Sequence, residues 1–377
     1  MDFELSEERQ MLKDTADRMI RERYPLDTRH AAAASDDGFD RQIWAEFCEL
    51  GLPGALISAD HGGFGGTGED IALVFECLGR GLVVEPFLPS LLAAIPLEVY
   101  DRDELLDQII GGEKIAAFAH GEPDAYYAPN HVTTKAVGAD GAWHLTGAKA
   151  VVINGGTADL LVLSARLTGH AADANTGLGL FLVDPTADGV EVTAHKSVDG
   201  PNVAEIRLDN APAEPLGTPG DAWPVIEKTL AAGALAVSAE AIGAMEAAKD
   251  QTLAYLKERT QFGKPIGANQ VLQHRMVEMA MELEQARSAV MLAANSLEAD
   301  RDTREINVSA AKNLVGRAGR LIAEEAIQMH GGVAMTWEWP LPHFAKRIIM
   351  IDHLFGDTDH HLQRYVALTQ EAEAGAA

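Results

Sequence analysis

A chain of 377 residues, 47% hydrophobic and 23% charged, has the composition of a globular protein and is too long for one core; disorder is excluded and two or three domains are expected. Its 30 Lys and Arg stand against 57 Asp and Glu, and the net charge of -27 repels nucleic acid and anionic membrane surfaces. A local pocket for an anionic ligand stays compatible with that balance, since a few arginines and backbone N–H groups suffice to hold one.

The opening Met1-Asp2-Phe3-Glu4-Leu5-Ser6-Glu7-Glu8 is acidic where a secretion signal is basic and then apolar, and no run of about 18 apolar residues occurs, so a cytoplasmic protein without a membrane span is expected. Ser6 reads as a helix N-cap with Glu7 and Glu8 against the dipole, and Met11, Leu12, Met19 and Ile20 share one face until Pro25. The same pattern recurs at Ile43, Trp44, Phe47 and Cys48, at Ile71, Val74, Phe75 and Leu78, and at Leu105, Leu106, Ile109 and Ile110 before Gly111-Gly112. Residues 1–113 are therefore expected to form a helical domain. Cys48 and Cys77, in different predicted helices, read as buried thiols rather than a disulfide framework. The glycine-dense stretch from His61 to Gly68 follows no strand and precedes no Lys-Ser/Thr, so it reads as a flexible structural loop, not a phosphate loop.

From Ile115 the helical period gives way to short alternating runs. His131 to Val137, an Asp140-Gly141 turn and Trp143 to Leu145 read as a hairpin; Leu160 to Leu163, Leu178 to Val183, Val190 to Val192 and Val203 to Leu208 read as further strands. Residues 114–221 are expected as a small antiparallel β domain, closed by a linker carrying Pro212, Pro215, Pro219 and Gly220.

Residues 222–377 read as a C-terminal helical bundle, four helices in all, giving an α+β chain. An alanine-rich helix comes first; Leu272, Met276, Met279, Leu283, Ala286, Val290, Ala293 and Leu297 then alternate by four and three along a second. A third carries Ala311, Leu314, Ala318 and Leu321, a stripe whose continuation reaches Gln328 before Gly331-Gly332; both ligand binding and helix capping account for a polar residue there. Between the first two helices, Gly263, Pro265 and Gly267 force a reversal, with Arg259 and Gln270 at its rims and Phe262 and Ile266 as an expected apolar anchor.

These motifs coincide with a known pattern. Arg259-x-x-Phe262-Gly263-x-x-Ile266-x-x-x-Gln270, Gln328-x-x-Gly331-Gly332 and Thr336-Trp337-Glu338, set in this order of domains, resemble the acyl-CoA dehydrogenase flavoproteins over nearly the whole chain. Leu82-Val83-Val84-Glu85-Pro86 and Met329-His330-Gly331-Gly332 look like the bacterial branch of pimeloyl-CoA and steroid side-chain dehydrogenase subunits. The resemblance implies FAD as cofactor, an acyl-CoA substrate, an electron-transfer flavoprotein as electron acceptor, and an oligomer in which one subunit's turn holds its neighbour's FAD. Arg259 would meet the FAD pyrophosphate, Phe262, Ile266 and Gln270 the adenosine end, and Gln328, Gly331 and Gly332 the same cofactor.

The pattern is broken around the reacting groups. The family's Tyr-Glu-Gly-Thr base segment is matched by Leu354-Phe355-Gly356-Asp357-Thr358-Asp359; counting back from Leu362-Gln363-Arg364 makes Asp357 the base, whereas counting forward from Gln328 gives Phe355. The alternative base position of isovaleryl-CoA-type members falls on Gly233. A Trp-x-Thr-Asn flavin segment is replaced by Val151-Val152-Ile153-Asn154, and Thr-Glu-Pro by Gly121-Glu122-Pro123. Three readings follow: an acyl-CoA dehydrogenase subunit using Asp357, as a homo-oligomer or as one subunit of a heteromer that donates Arg259 and Gln270 to a catalytic partner's FAD; a non-catalytic structural, FAD-binding partner subunit; and a flavin-dependent monooxygenase on the same fold. Adjacent His360 and His361 point in different directions on a helix, so no metal is expected there.

Overall fold

The computed structural model describes residues 5–139 and 141–376. Packing divides the chain into two compact units: Met1–Arg29, Thr67–Val83 and Ala234–Ala377 in the first, His30–Gly66 and Val84–Gly233 in the second.

In the first unit, α1 (Glu7–Arg23) is capped by Ser6, whose hydroxyl accepts from the Arg9 N–H at 3.3 Å, and it buries Ala16, Met19 and Ile20. Met11, expected on that face, is exposed, because it lies on the far side of the turn set by those three residues. Helix α4 (Gly68–Gly81) opens with a Thr67–Asp70 capping box and buries Ile71, Val74, Phe75 and Leu78. It approaches α7 (Trp223–Glu258) backbone to backbone: a Cβ on Gly79 would lie 1.9 Å from the Glu240 oxygen and one on Gly243 2.0 Å from the Glu76 oxygen. Helix α7 is long and apolar enough to cross a membrane, but 83% of its apolar window is buried within the protein.

Helix α8 (Gln270–Asn295) buries Met279, Leu283, Ala286, Val290 and Ala293, as the four-three alternation predicts, while Leu272 and Met276 stay half exposed. On α9 (Arg301–His330) the buried line runs through Val308, Ala311, Val315, Ala318, Ile322, Ala326 and Met329. The expected stripe is thus rotated: Leu314 and Leu321 sit at the boundary and Gln328 is exposed. The cause is the small Gly319, which lets Ile348 of α10 (Leu341–His353) seat against it and turns that side inward. Arg347 of α10 grips Glu240 with two hydrogen bonds at 2.6 and 2.7 Å, both residues buried. Helix α11 (Thr358–Ala376) ends the described chain.

The second unit contains α2 (Leu26–Ala34) for most of its length, α3 (Arg41–Glu49), α5 (Phe87–Val99) and α6 (Asp103–Ile110). Its glycine loop is pinned rather than flexible: Phe64, Gly65 and Gly66 donate their N–H groups to Gly54, Ile57 and Ala55 at 3.0 Å, and a Cβ on Gly63 or Gly65 would strike a carbonyl at 2.1 or 2.2 Å. Those N–H groups are therefore not offered to a phosphate.

The strands are β1 (Ala116–Ala119), β2 (Lys135–Ala139), β3 (Ala142–Ile153), β4 (Leu160–Leu167), β5 (Leu178–Val183), β6 (Val190–Lys196) and β7 (Asn202–Gly220). Pairing of β4 with both β2 and β5 closes the path β4-β2-β3-β7-β5 into a small barrel around Leu145, Leu161, Leu163, Phe181, Ile206 and Leu208. The ladders are antiparallel except β1–β4 and β2–β4, which are parallel because β4 follows each of those strands through a long connection. Asp140, half of the expected hairpin turn, lies outside the described residues. Pro212, Pro215 and Pro219, expected in a linker, belong to β7. Beyond Leu208 that strand has lost β6 on one side, so every second N–H needs no ladder partner and proline is tolerated.

Candidate functional site

The reversal between α7 and α8 is a hairpin. β8 (Thr260–Gln261) pairs with β9 (Lys264–Pro265), and the two residues between them, Phe262 and Gly263, have φ of 52° and 80°, as a two-residue primed turn requires. Ile266 donates its N–H to the Arg259 oxygen at 2.8 Å and closes the base. Phe262 does not anchor the turn: it is fully exposed, held outward at the hairpin tip in a left-handed conformation that few non-glycine residues adopt. Ile266 is half-buried, and Arg259 and Gln270 are exposed with no ion pair or side-chain hydrogen bond among the described residues.

The hairpin base is joined to the end of α9. Tyr255, one turn before Arg259, stacks on His330 with ring centroids 4.4 Å apart, and Trp339 closes edge-on at 6.0 Å from His330. Buried His330 donates Nδ1–H to the Ala326 oxygen at 2.9 Å, leaving Nε2 an unpartnered acceptor; burial lowers its pKa and keeps the ring neutral. Immediately after it, Gly331 has φ 68° and ψ -147°, a conformation suited to glycine, and a Cβ built on either Gly331 or Gly332 meets nothing within 4 Å. Arg259 and Gly331-Gly332, 72 positions apart in sequence, thus flank one aromatic stack. Gln328 is exposed one turn before them. The stack escaped the sequence reading, because Tyr255 and His330 lie on different helices and their contact depends on how those helices pack.

Asp357 lies in the turn between α10 and α11 and caps α11: Oδ1 accepts from the His360 N–H at 2.8 Å. Its second oxygen accepts no hydrogen bond among the described residues. Phe355, the other candidate position, has φ 60° and presents its carbonyl to His361 Nε2–H at 3.0 Å. His361 is buried and its pKa falls to about 3, through burial first and the nearby Lys312 charge second. The sequence reading missed Lys312, although a lysine beside Ala311 on the buried side of a helix is itself a signal.

Within the barrel unit, Glu122, from one of the segments expected to face a flavin, sits in a buried network. Lys149, with no exposure, donates to Glu122 Oε1 at 2.7 Å, the His120 oxygen at 3.1 Å and Ser164 Oγ at 3.1 Å. Glu122 also accepts from the N–H groups of Thr133 and Thr134 at 2.7 and 3.0 Å. Burial alone would raise the Glu122 carboxyl, but the Lys149 charge and these donors hold it at about 2. His120 donates Nε2–H to the Pro129 oxygen at 2.7 Å, so Nδ1 accepts from Ser164; burial pushes its pKa to about 4. Val151 has φ 53°, a strained conformation for a β-branched residue, at a register shift between β3 and β7. Asn154 is buried at φ 53° with its Nδ2 donor unpartnered.

His120 and His361 have folded-state pKa values below the unfolded value, so the unfolded chain binds more protons between about pH 4 and pH 6.5. Their stability contribution is complete above that window and is lost as pH falls through it. The urea midpoint is expected to drop between pH 7 and pH 4.5, and to drop less in His361→Asn; an equal drop in both proteins contradicts the assignment.

The sequence matches three consecutive family models: acyl-CoA dehydrogenase N-terminal domain over residues 6–104, middle domain over 117–211 and C-terminal domain over 220–366. Acyl-CoA dehydrogenase IpdE2 of Mycobacterium tuberculosis is 32% identical, the match covering 90% of this chain and 91% of that protein. Among solved structures, a variant of the Tcur3481-Tcur3483 steroid ACAD superposes with a TM-score of 0.88 at 26% identity, over 98% of this chain and 99% of that one. PigA with FAD and proline superposes with a TM-score of 0.87 at 25% identity, over 97% and 98%.

Proposed function

Since the chain belongs to the acyl-CoA dehydrogenase family, we propose that it is a subunit of an FAD-dependent enzyme that removes the α- and β-hydrogens of an acyl-CoA thioester. It works in a heteromeric assembly whose electrons leave to an electron-transfer flavoprotein. The observation that carries this reading is the hairpin: unpaired Arg259 and the open Gly331-Gly332 surface flank one aromatic stack, with fully exposed Phe262 at the hairpin tip and unpaired Gln270 at the start of the next helix. An apolar ring at a strained hairpin tip has no partner among the described residues and fits a role in another subunit's cofactor site.

The residues fit FAD. A guanidinium without a carboxylate partner suits a pyrophosphate, and two glycines with empty space above their Cα atoms allow close approach of the cofactor. In the barrel unit, the orphaned Asn154 Nδ2 donor fits a polar ring edge. When bound, FAD supplies the acceptor for the hydride from the substrate β-carbon.

Asp357 is the base this chain offers. Its capped oxygen is oriented by the His360 N–H, which leaves Oδ2 to take the α-proton. Asp357→Asn in the assembled enzyme is expected to lower turnover by about 100- to 10,000-fold with bound flavin unchanged. Undiminished turnover would move the base to the partner subunit and leave this chain the donor of the hairpin alone. The Tcur3481-Tcur3483 relative, with its two-component name, supports the heteromeric reading by analogy.

A further inference from the structure

We propose that Lys312 is a positioning residue for the Asp357 carboxylate, an inference that rests on Asp357 being the base. Lys312 projects from the middle of α9 and has no exposure. Its Nζ donates to three backbone oxygens, Ile351 and Asp352 at 2.9 Å each and Gly356 at 2.8 Å. The first two lie in the last turn of α10; the third belongs to the residue immediately before Asp357. One ammonium group therefore clamps both limbs of the reversal that presents the carboxylate.

That reversal needs a clamp. Phe355 at φ 60° is in a left-handed conformation that few non-glycine residues adopt, and it persists only when surrounding contacts over-determine it. The same face of α9 supplies the rest. Asn313 Nδ2 donates to the Thr358 oxygen at 2.9 Å, and Gly316 leaves room for Asp352 Oδ1 and Thr358 Oγ1, each 2.2 Å from where a Cβ would stand. Asp352 Oδ1 in turn accepts from the Thr358 N–H at 3.1 Å and hydroxyl at 2.8 Å. The groups around the ammonium are Asp352, Asp357, His360 and His361, and among the described residues Lys312 forms no salt bridge with either carboxylate. A buried cation aimed only at carbonyls is an expensive way to pack a helix. Its charge and its three donors act together where Asp357 must be ionised and fixed.

The test is a double-mutant cycle in the enzyme as purified with its partner, reading anaerobic flavin bleaching on mixing with butyryl-, octanoyl-, glutaryl- or a steroid side-chain acyl-CoA. Lys312→Met and Asn313→Ala are expected to slow bleaching by about 10- to 100-fold at saturating substrate, with the half-saturating concentration little changed. In the Asp357→Asn background neither adds a further loss, because there is no carboxylate left to position. Equal losses in both backgrounds would assign Lys312 a purely structural role and overturn the proposal. If Lys312→Met does not fold, Asn313→Ala decides alone. Should Asp357→Asn by itself leave bleaching intact, or no thioester bleach the unaltered enzyme, the base assignment fails and this inference with it. A slow Asp357→Asn beside an unaffected Lys312→Met refutes the inference only.

Discussion

Glu122→Leu is expected to remove about 3–5 kcal/mol of stability, read as a lower urea midpoint. The loss follows from what surrounds the carboxylate. Lys149 is fully buried, its pKa pulled by burial to about 8 despite Glu122, and its other two acceptors are an uncharged carbonyl and a hydroxyl. Without Glu122 the ammonium has no counter-charge, and the N–H groups of Thr133 and Thr134 lose their acceptor. Adding Lys149→Met to Glu122→Leu removes the buried charge but not the orphaned N–H groups, each worth about 1–3 kcal/mol. The double variant should therefore regain only part of the loss. Full recovery would mean that the threonine loop is held by other contacts, and a Glu122→Leu midpoint equal to the parent's would show the network to be dispensable.

The network also explains what the sequence could tell about the barrel unit. Short apolar runs between turn signals located every strand but β1 (Ala116–Ala119), four buried residues with no alternation to mark them. Those runs could not reveal that β4 pairs with three other strands, since pairing depends on residues far apart in the chain. The prolines of β7 misled for a physical reason: a missing N–H terminates a strand only where that N–H is needed. Amphipathic helices such as α1, α3, α4, α6 and α8 were legible from periodicity, but α5, buried nearly all round, was not, nor was the rotation of the α9 stripe, which follows from Gly319 receiving Ile348. For the site, the resemblance supplied Arg259, Phe262, Gln270 and the two glycines; the structure sets Arg259 and the two glycines beside one stack, with Phe262 out at the hairpin tip. The anchor role given to Phe262 fails because an apolar residue's destination depends on which surfaces exist, and among the described residues none covers it. Lys312, though marked by its place beside the buried Ala311, could not be given its three carbonyl partners from the sequence, because they come from residues 39 to 44 positions away.

Arg259→Ala carries the second large effect. The side chain is exposed and unpaired among the described residues, so its removal leaves no orphaned group behind and the fold should be unaffected. A guanidinium on a phosphate is a charge-assisted contact worth about 1.5–3 kcal/mol, which corresponds to about 10- to 150-fold weaker FAD binding. Arg259→Lys keeps the charge but not the planar fork and should fall between. The hairpin itself, closed by the Ile266 N–H on the Arg259 backbone oxygen, persists in both variants. The decisive measurement is the FAD dissociation constant of the assembled enzyme, by flavin fluorescence titration after apo preparation, for the parent and Arg259→Ala at matched thermal stability. The account predicts a rise of at least about 10-fold with the melting temperature of the apoprotein unchanged; equal dissociation constants would contradict the claim that this hairpin holds the cofactor.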